Sequence, residues 1–203
     1  MREAAHRGTY RTRIGTQEVE LPLVPVPGGA VSLLMTIDRG VLFMERAGRE
    51  LAVLLEPSRP QVVASAATLG IPVAIEVTRA LGLDDYVILQ KTPKIHLREA
   101  LARPLRSVTT DSEQTLLLDR RRIGALAGRR VAVVDDVIAT GSSVCAAVEL
   151  VEAGGGRVVS IGALLTEGGR WRGALGPRAS AVVSLGAIPG FREADEGYVE
   201  VWD

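Results

Sequence analysis

Val131-Ala132-Val133-Val134-Asp135-Asp136-Val137-Ile138-Ala139-Thr140-Gly141-Ser142-Ser143 changes character twice in a short space. Val131 to Val134 is a continuous apolar, largely β-branched run, the pattern of a strand buried on both faces of a parallel sheet. From Ser142 the period becomes helical, with Val144, Val148 and Val151 on one face and Gly154-Gly155-Gly156 as the stop. The turn Ala139 to Ser143 therefore joins the carboxyl end of a central strand to the amino end of a helix. Backbone N–H groups there lack intrahelical partners, and the helix dipole is positive at that end, so a phosphate is stabilised without a cationic side chain. Gly141 permits close approach of the backbone, and Thr140, Ser142 and Ser143 add hydroxyl donors. Asp135 and Asp136 would repel a phosphate, yet they accept hydrogen bonds from vicinal hydroxyls such as those of ribose. A sugar with a 5-phosphate satisfies both halves. Two plainer readings stay open on these residues alone: an acidic pair that merely caps a loop, and a magnesium-binding carboxylate pair of some other α/β enzyme.

The run resembles the PRPP-binding motif of type I phosphoribosyltransferases: an apolar strand, Asp-Asp, an apolar pair, then Ala-Thr-Gly-Ser-Ser. The resemblance implies that Asp135 and Asp136 bind the ribose 2- and 3-hydroxyls, and that Ala139, Thr140, Gly141, Ser142 and Ser143 hold the 5-phosphate of PRPP. A wider similarity, from about Gln61 to Leu165, is to the xanthine and adenine (purine) members. It is carried in order by Lys91-x-x-Lys94, Pro104-x-x-Ser107-Val108-Thr109, Leu118-Asp119-Arg120 and Gly128-Arg129-Arg130-Val131.

Composition sets the outer limits. At 203 residues, 47% hydrophobic and with no net charge, the chain suits one sizeable soluble domain and not an electrostatic nucleic-acid binder. A single cysteine excludes a disulfide framework; Cys145 falls in the helix after the turn and reads as a small buried side chain. His6 and His96 are the only histidines, too few for a typical zinc site. No apolar run reaches membrane-spanning length and no signal-peptide pattern opens the sequence, so a cytoplasmic location without membrane contact is expected. The clusters Arg120-Arg121-Arg122 and Arg129-Arg130 have no interleaved aromatics and read as a solvated face.

Strands and helices alternate along the chain. Val41 to Glu56 reads as a helix weakened by Gly48 and ended by Pro57, and Pro72 to Leu81 as a second helix closed by Gly82. Strands are expected at Gln61–Ser65, Tyr86–Gln90, Val131–Val134, Val158–Leu165 and Ala181–Leu185. Met1 to Gly40 reads as irregular, with the turn-rich Pro22-Leu23-Val24-Pro25-Val26-Pro27-Gly28-Gly29 at its centre. The fold class is α/β, a parallel twisted sheet with helices on both faces. By resemblance to the type I core, one domain spans 1–203, with 41–185 as core and 1–40 plus about 186–203 as a small hood.

Ligands of such sheets bind outside the carboxyl ends of the strands. Ser65-Ala66-Ala67-Thr68-Leu69-Gly70 is a second small-residue turn into a helix. The resemblance assigns its equivalent, Ala67, Thr68 and Leu69, to pyrophosphate, although Ala67 stands where family members usually carry Glu. Gln90-Lys91-Thr92-Pro93-Lys94 holds both lysines of a chain with 22 arginines, so arginine bias does not explain them. The resemblance places a basic residue here that reaches pyrophosphate, hence Lys91 and Lys94, with Lys91 joining Asp135 and Asp136 as catalytic. Ile95 to about Leu118 has no clean period; family members carry a closing loop in this region, with Ser107-Val108-Thr109-Thr110 as the tip here. Glu167-Gly168-Gly169-Arg170-Trp171 follows the next strand, where purine enzymes hold the base. Glu167, Arg170 and Trp171 are the base-site candidates, Trp171 by stacking, although a tryptophan that only packs the hood fits equally. Gly168 replaces the lysine of the xanthine pattern. Ser32 to Asp38 is a weaker candidate for the hood's share of the site.

The expected activity is transfer of ribose 5-phosphate from PRPP to a nucleobase, a purine by resemblance, with release of pyrophosphate. Mg²⁺ is the expected cofactor, held by PRPP and by Asp135 or Asp136 only through water, and a homodimer is the family's implied state. A regulatory protein that binds PRPP or a nucleotide without turnover is the alternative. A PRPP synthetase is built from two such domains and needs a longer chain.

Overall fold

The computed structural model describes residues 5–92, 100–105 and 115–202. The chain opens with β1 (Thr9–Ile14), β2 (Gln17–Val26) and β3 (Gly29–Ser32), then α1 (Val41–Leu55), β4 (Val62–Ala66), α2 (Gly70–Ala80) and β5 (Tyr86–Leu89). Next come β6 (Leu101–Pro104), β7 (Thr115–Leu118), α3 (Ile123–Leu126), β8 (Arg130–Ile138) and α4 (Ser142–Ala153). The last stretch holds β9 (Arg157–Glu167), α5 (Arg170–Leu175), β10 (Val182–Ser184), β11 (Ala187–Ile188), β12 (Gly190–Ala194) and β13 (Gly197–Val201).

Strands β10, β9, β8, β4 and β5 lie side by side in that order, and β11 extends the pairing at the carboxyl end of β9. Every one of these pairings is parallel. β8 shows why the sheet is covered on both faces. Val131 and Val133 enter a cluster with Val144, Ala147, Val148 and Val151 of α4. The alternate residues Ala132 and Val134 enter another, with Ala47 and Leu51 of α1 and Val73 and Val77 of α2. A strand apolar on both sides has no face to give to water, and none of these four residues is more than 1% exposed. The fold class is α/β, a parallel sheet covered on both faces by helices, as expected. α1 runs straight through Gly48, because a β-carbon there would fall 2.4 Å from Glu76 Cβ: the glycine lets α1 and α2 approach closely.

Three expectations need correction. β8 does not stop at Val134 but continues through both acids to Ile138, since the eleven-residue β9 keeps supplying ladder partners as far as Ile138 opposite Thr166. The segment before Gly40 is not irregular: β1, β2 and β3 pair antiparallel, β3 pairs with β12, and β12 with β13, giving a five-stranded sheet that joins the two ends of the chain. Buried Val19, Leu21 and Leu23 alternate with exposed neighbours along β2, a two-residue period that the surrounding prolines obscure. Within Ile95 to Leu118, β6 and β7 form an antiparallel pair from Leu101 opposite Leu118 to Pro104 opposite Thr115. The tip Ser107 to Thr110 lies outside the described residues. Among the described residues no helix is long and apolar enough to cross a membrane. The arginine clusters sit in exposed ion pairs, Arg121 with Asp119, and Arg122 and Arg129 with Asp85.

Candidate active site

β8 carries Asp135 and Asp136 to the carboxyl edge of the sheet. Asp135 is 9% exposed and Asp136 is half-buried; the Asp136 N–H donates to Asp135 Oδ1 at 3.1 Å. Loss of water holds the Asp135 carboxyl well above its usual range, helped by the Asp136 charge and the hydrogen bond between the two side chains, and opposed by Lys91. Burial raises Asp136 as well, against the Asp135 hydrogen bond, the Val137 N–H and Lys91. Two carboxylates so poorly hydrated favour partners that bring hydroxyl donors or positive charge.

The turn that follows has the expected shape. Gly141 adopts φ +80° at the amino end of α4, and a β-carbon there would stand 3.2 Å from Ala174 Cβ and 3.3 Å from the Trp171 backbone. Asp135 and residues 137–144 line a cleft of about 140 Å³. Thr140 is exposed at its rim and its Oγ1 accepts the Ser142 N–H at 3.3 Å, while the buried Ser142 Oγ has no partner among the described residues. A hollow of 390 Å³ adjoins it, sharing Thr140 and Ser142 and adding Cys145, Glu149 and Arg178. Cys145 is half-buried and its thiol donates to the Ala174 carbonyl at 3.4 Å. Another of 380 Å³, lined by Arg49, Glu56, Arg59 and Leu81, lies at the opposite, amino end of the strands.

The β4–α2 turn meets the same acids. A β-carbon built on Gly70 would fall 2.0 Å from Ser65 Oγ and 3.0 Å from Asp135 Oδ1, so the start of α2, Ser65 and Asp135 share one spot. Ser65 is fully buried and its hydroxyl is unpartnered among the described residues. It was absent from the sequence-based candidates, although a hydroxyl inside Val62-Val63-Ala64-Ser65-Ala66 is a legible signal. Ala67 and Leu69 are half-buried and Thr68 exposed; the Ala67–Thr68 peptide is cis. One expectation changes here. The Ala67 N–H is already given to the Leu89 carbonyl at 2.8 Å, so the donors this turn offers a ligand begin at Thr68. Lys91, just past β5, is exposed, and its charge acts on both carboxylates. Lys94 lies outside the described residues.

A phosphoribosyl transferase domain model matches residues 44–176, well over half of the chain. The chain belongs to that family. It is 34% identical over 125 residues to the orotate phosphoribosyltransferase of Heliobacterium modesticaldum, covering 61% of this chain and 54% of that one. It is 33% identical over 117 residues to the xanthine phosphoribosyltransferase of Chloroflexus aurantiacus, covering 58% and 54%. Among solved structures, the adenine phosphoribosyltransferase of Thermoanaerobacter pseudethanolicus superposes with a TM-score of 0.62 at 25% identity, covering 73% of this chain and 84% of that one. The chain spans little more than half the length of the two sequence relatives.

The matched stretch of this phosphoribosyltransferase domain contains both turns, the paired acids and Lys91. It also contains the three base-site candidates, which the structure separates. Glu167 ends β9, half-buried, with Ile188 of β11 opposite it. Arg170 is exposed at the start of α5. Trp171 is only 5% exposed, packed with the α4 cluster, its Nε1 donating to the Gly168 carbonyl at 3.1 Å and the Arg172 guanidinium 4.4 Å above its ring. A ring enclosed in this way has no free face for a base, so Trp171 is a packing residue and not a stacking platform. Among the described residues no group of three or more His, Cys, Asp or Glu side chains could hold a metal ion.

Proposed function

We propose that the domain transfers ribose 5-phosphate from PRPP to a ring nitrogen of a nucleobase, a purine, and releases pyrophosphate. The observation that carries this is the joining, at one strand end, of two desolvated carboxylates and a hydroxyl-rich turn opening a helix. Asp135 and Asp136 accept hydrogen bonds from the ribose 2- and 3-hydroxyls. Ala139 to Ser143 hold the 5-phosphate through backbone N–H groups and hydroxyls. Thr68, Leu69 and Lys91, with Lys94, take the pyrophosphate. Glu167 and Arg170 face the base, under a hood of residues 1–40 and about 186–203 over a 41–185 core.

In the reaction the bond from C1 of the sugar to the pyrophosphate oxygen breaks and its electron pair leaves with pyrophosphate. The lone pair of the base nitrogen forms the new bond at C1, with inversion. Asp135 and Asp136 stabilise the positive charge that develops on the sugar, and the remaining acceleration comes from positioning and exclusion of water. Among the described residues no third ligand joins the two carboxylates, which fits a cation that would be held mainly by the oxygens of PRPP, with Asp135 or Asp136 holding it only through water. Mg²⁺ bound with PRPP supplies neutralisation of the diphosphate charge. A homodimer and a cytoplasmic location belong to the same proposal, the first carried only by the family resemblance.

Incubation with PRPP, Mg²⁺ and, separately, adenine, guanine, hypoxanthine, xanthine, orotate and uracil tests it, with pyrophosphate release as the readout. Release with one or more purines is the expected result. Release with orotate or uracil alone overturns the purine assignment, and PRPP binding without release under any base overturns transfer in favour of a regulatory binder.

A further inference from the structure

The β4–α2 turn has few polar side chains of its own, so something else must orient its backbone. The Ala67 N–H is held by the Leu89 carbonyl at 2.8 Å, and the Thr68 carbonyl accepts the Ile71 N–H at 3.2 Å. The Leu69 carbonyl is held from outside the turn: Thr36 Oγ1 donates to it at 2.6 Å across 33 residues of sequence. Thr36 is 1% exposed, in the short connection that carries the chain from β3 to α1. Peptide planarity makes this contact directional, because fixing the Leu69 carbonyl fixes the Gly70 N–H on the opposite side of the same plane. Gly70 is the residue that lies against Asp135 and Ser65. With the Thr68 and Leu69 carbonyls occupied in this way, the N–H groups of Thr68, Leu69 and Gly70 are the donors the turn can offer, the kind of group an anion requires.

We infer that Thr36 is a positioning residue: its hydroxyl clamps the Leu69 carbonyl so that the N–H groups of the β4–α2 turn face the pyrophosphate end of the site. The inference rests on the pyrophosphate role proposed for that turn. It also gives the N-terminal sheet a hold on catalysis, since β3 pairs with β12 and leads directly into Thr36.

The test compares the wild type with Thr36→Ser, Thr36→Cys and Thr36→Val, a series in which hydrogen-bond donation weakens from hydroxyl to thiol to none. Inorganic pyrophosphate binding is measured by calorimetry, and KM is measured for PRPP and for the base separately. Thr36→Val is expected to weaken pyrophosphate binding and raise the PRPP KM about tenfold, equivalent to about 1.4 kcal/mol, with the base KM within about twofold of wild type. Thr36→Cys falls between, and Thr36→Ser restores wild-type values. If Thr36→Val is too unstable to assay, the Ser and Cys variants still order the effect. Unchanged pyrophosphate and PRPP terms, equal loss in the base term, or failure of Ser to rescue overturns the role of Thr36 alone. Absence of pyrophosphate binding by the wild type overturns the turn's assignment itself, and the inference with it.

Discussion

At the end of β8 the chain enters α4 through Ala139-Thr140-Gly141, and at the end of β4, its hydrogen-bonded neighbour, it enters α2 through Ala67-Thr68-Leu69. Both turns follow a buried strand, open a helix and meet Asp135. The first carries its chemistry in its own side chains: a glycine at φ +80°, then the hydroxyls of Thr140, Ser142 and Ser143. The second is oriented from elsewhere, by the Leu89 carbonyl on one side and the Thr36 hydroxyl on the other. On the proposed reading, a phosphate turn can therefore be specified by its own sequence or by its neighbours, and only the first kind leaves a motif.

The largest effect is expected where the two turns meet. Asp135→Asn and Asp136→Asn each remove a charge proposed to act on the sugar, and kcat is expected to fall on the order of 10²- to 10³-fold, measured by pyrophosphate release. Stability should move the other way. Burial holds both carboxyls above their ordinary values, so the folded protein binds these protons more tightly than the unfolded chain does. The pair thus favours folding below the ordinary carboxylate range, and that contribution is lost as pH rises through the raised values. Asp135→Asn should be more stable than wild type at neutral pH without ligand, and the difference should vanish in acid. Urea unfolding across that pH window checks it; a variant less stable than wild type at pH 7 would show that the Asp135 charge is better solvated than its burial implies.

A smaller effect separates the turns themselves. Gly141→Ala puts a β-carbon at positive φ and 3.2–3.3 Å from Ala174 and the Trp171 backbone. A cost of about 1–2 kcal/mol in stability is expected from the left-handed backbone alone. PRPP binding should weaken about tenfold if the turn adapts by pulling its N–H groups off the phosphate. Unchanged PRPP affinity by calorimetry would mean that the 5-phosphate does not depend on this backbone.

The contrast explains what could be read from residues alone. The core was legible because β8 is apolar at every position from Val131 to Val134, which only a doubly covered strand tolerates, and its continuation announced the acids and the hydroxyls. The antiparallel sheet joining the chain ends was not, because Pro22, Pro25 and Pro27 obscure the alternation of Val19, Leu21 and Leu23, and because β12 reaches β3 across most of the sequence. Trp171 misled for a different reason. An aromatic at a strand end fits a base as well as it fits a core, and only the enclosed geometry of α5 decides between them. Thr36 stands only as one residue of the broad Ser32 to Asp38 candidate stretch; its particular role was not legible, since its partner is a backbone carbonyl and backbone carbonyls have no letter in a sequence.

The smallest predicted effect is the sharpest test of the contrast, because it makes the same substitution in both turns. Thr140→Ala removes the hydroxyl that accepts the Ser142 N–H at the rim of the cleft proposed for the 5-phosphate. A single hydrogen bond of this kind is worth about 1 kcal/mol, so the PRPP KM should rise roughly fivefold. Thr68→Ala removes an exposed hydroxyl from a turn whose donors are backbone N–H groups, and the expected change is under about twofold, within the scatter of one weak surface contact. Equal losses in the two variants would place the Thr68 side chain on the ligand and make the turns alike. A loss at Thr68 alone would reverse the contrast and move the side-chain chemistry to the pyrophosphate end.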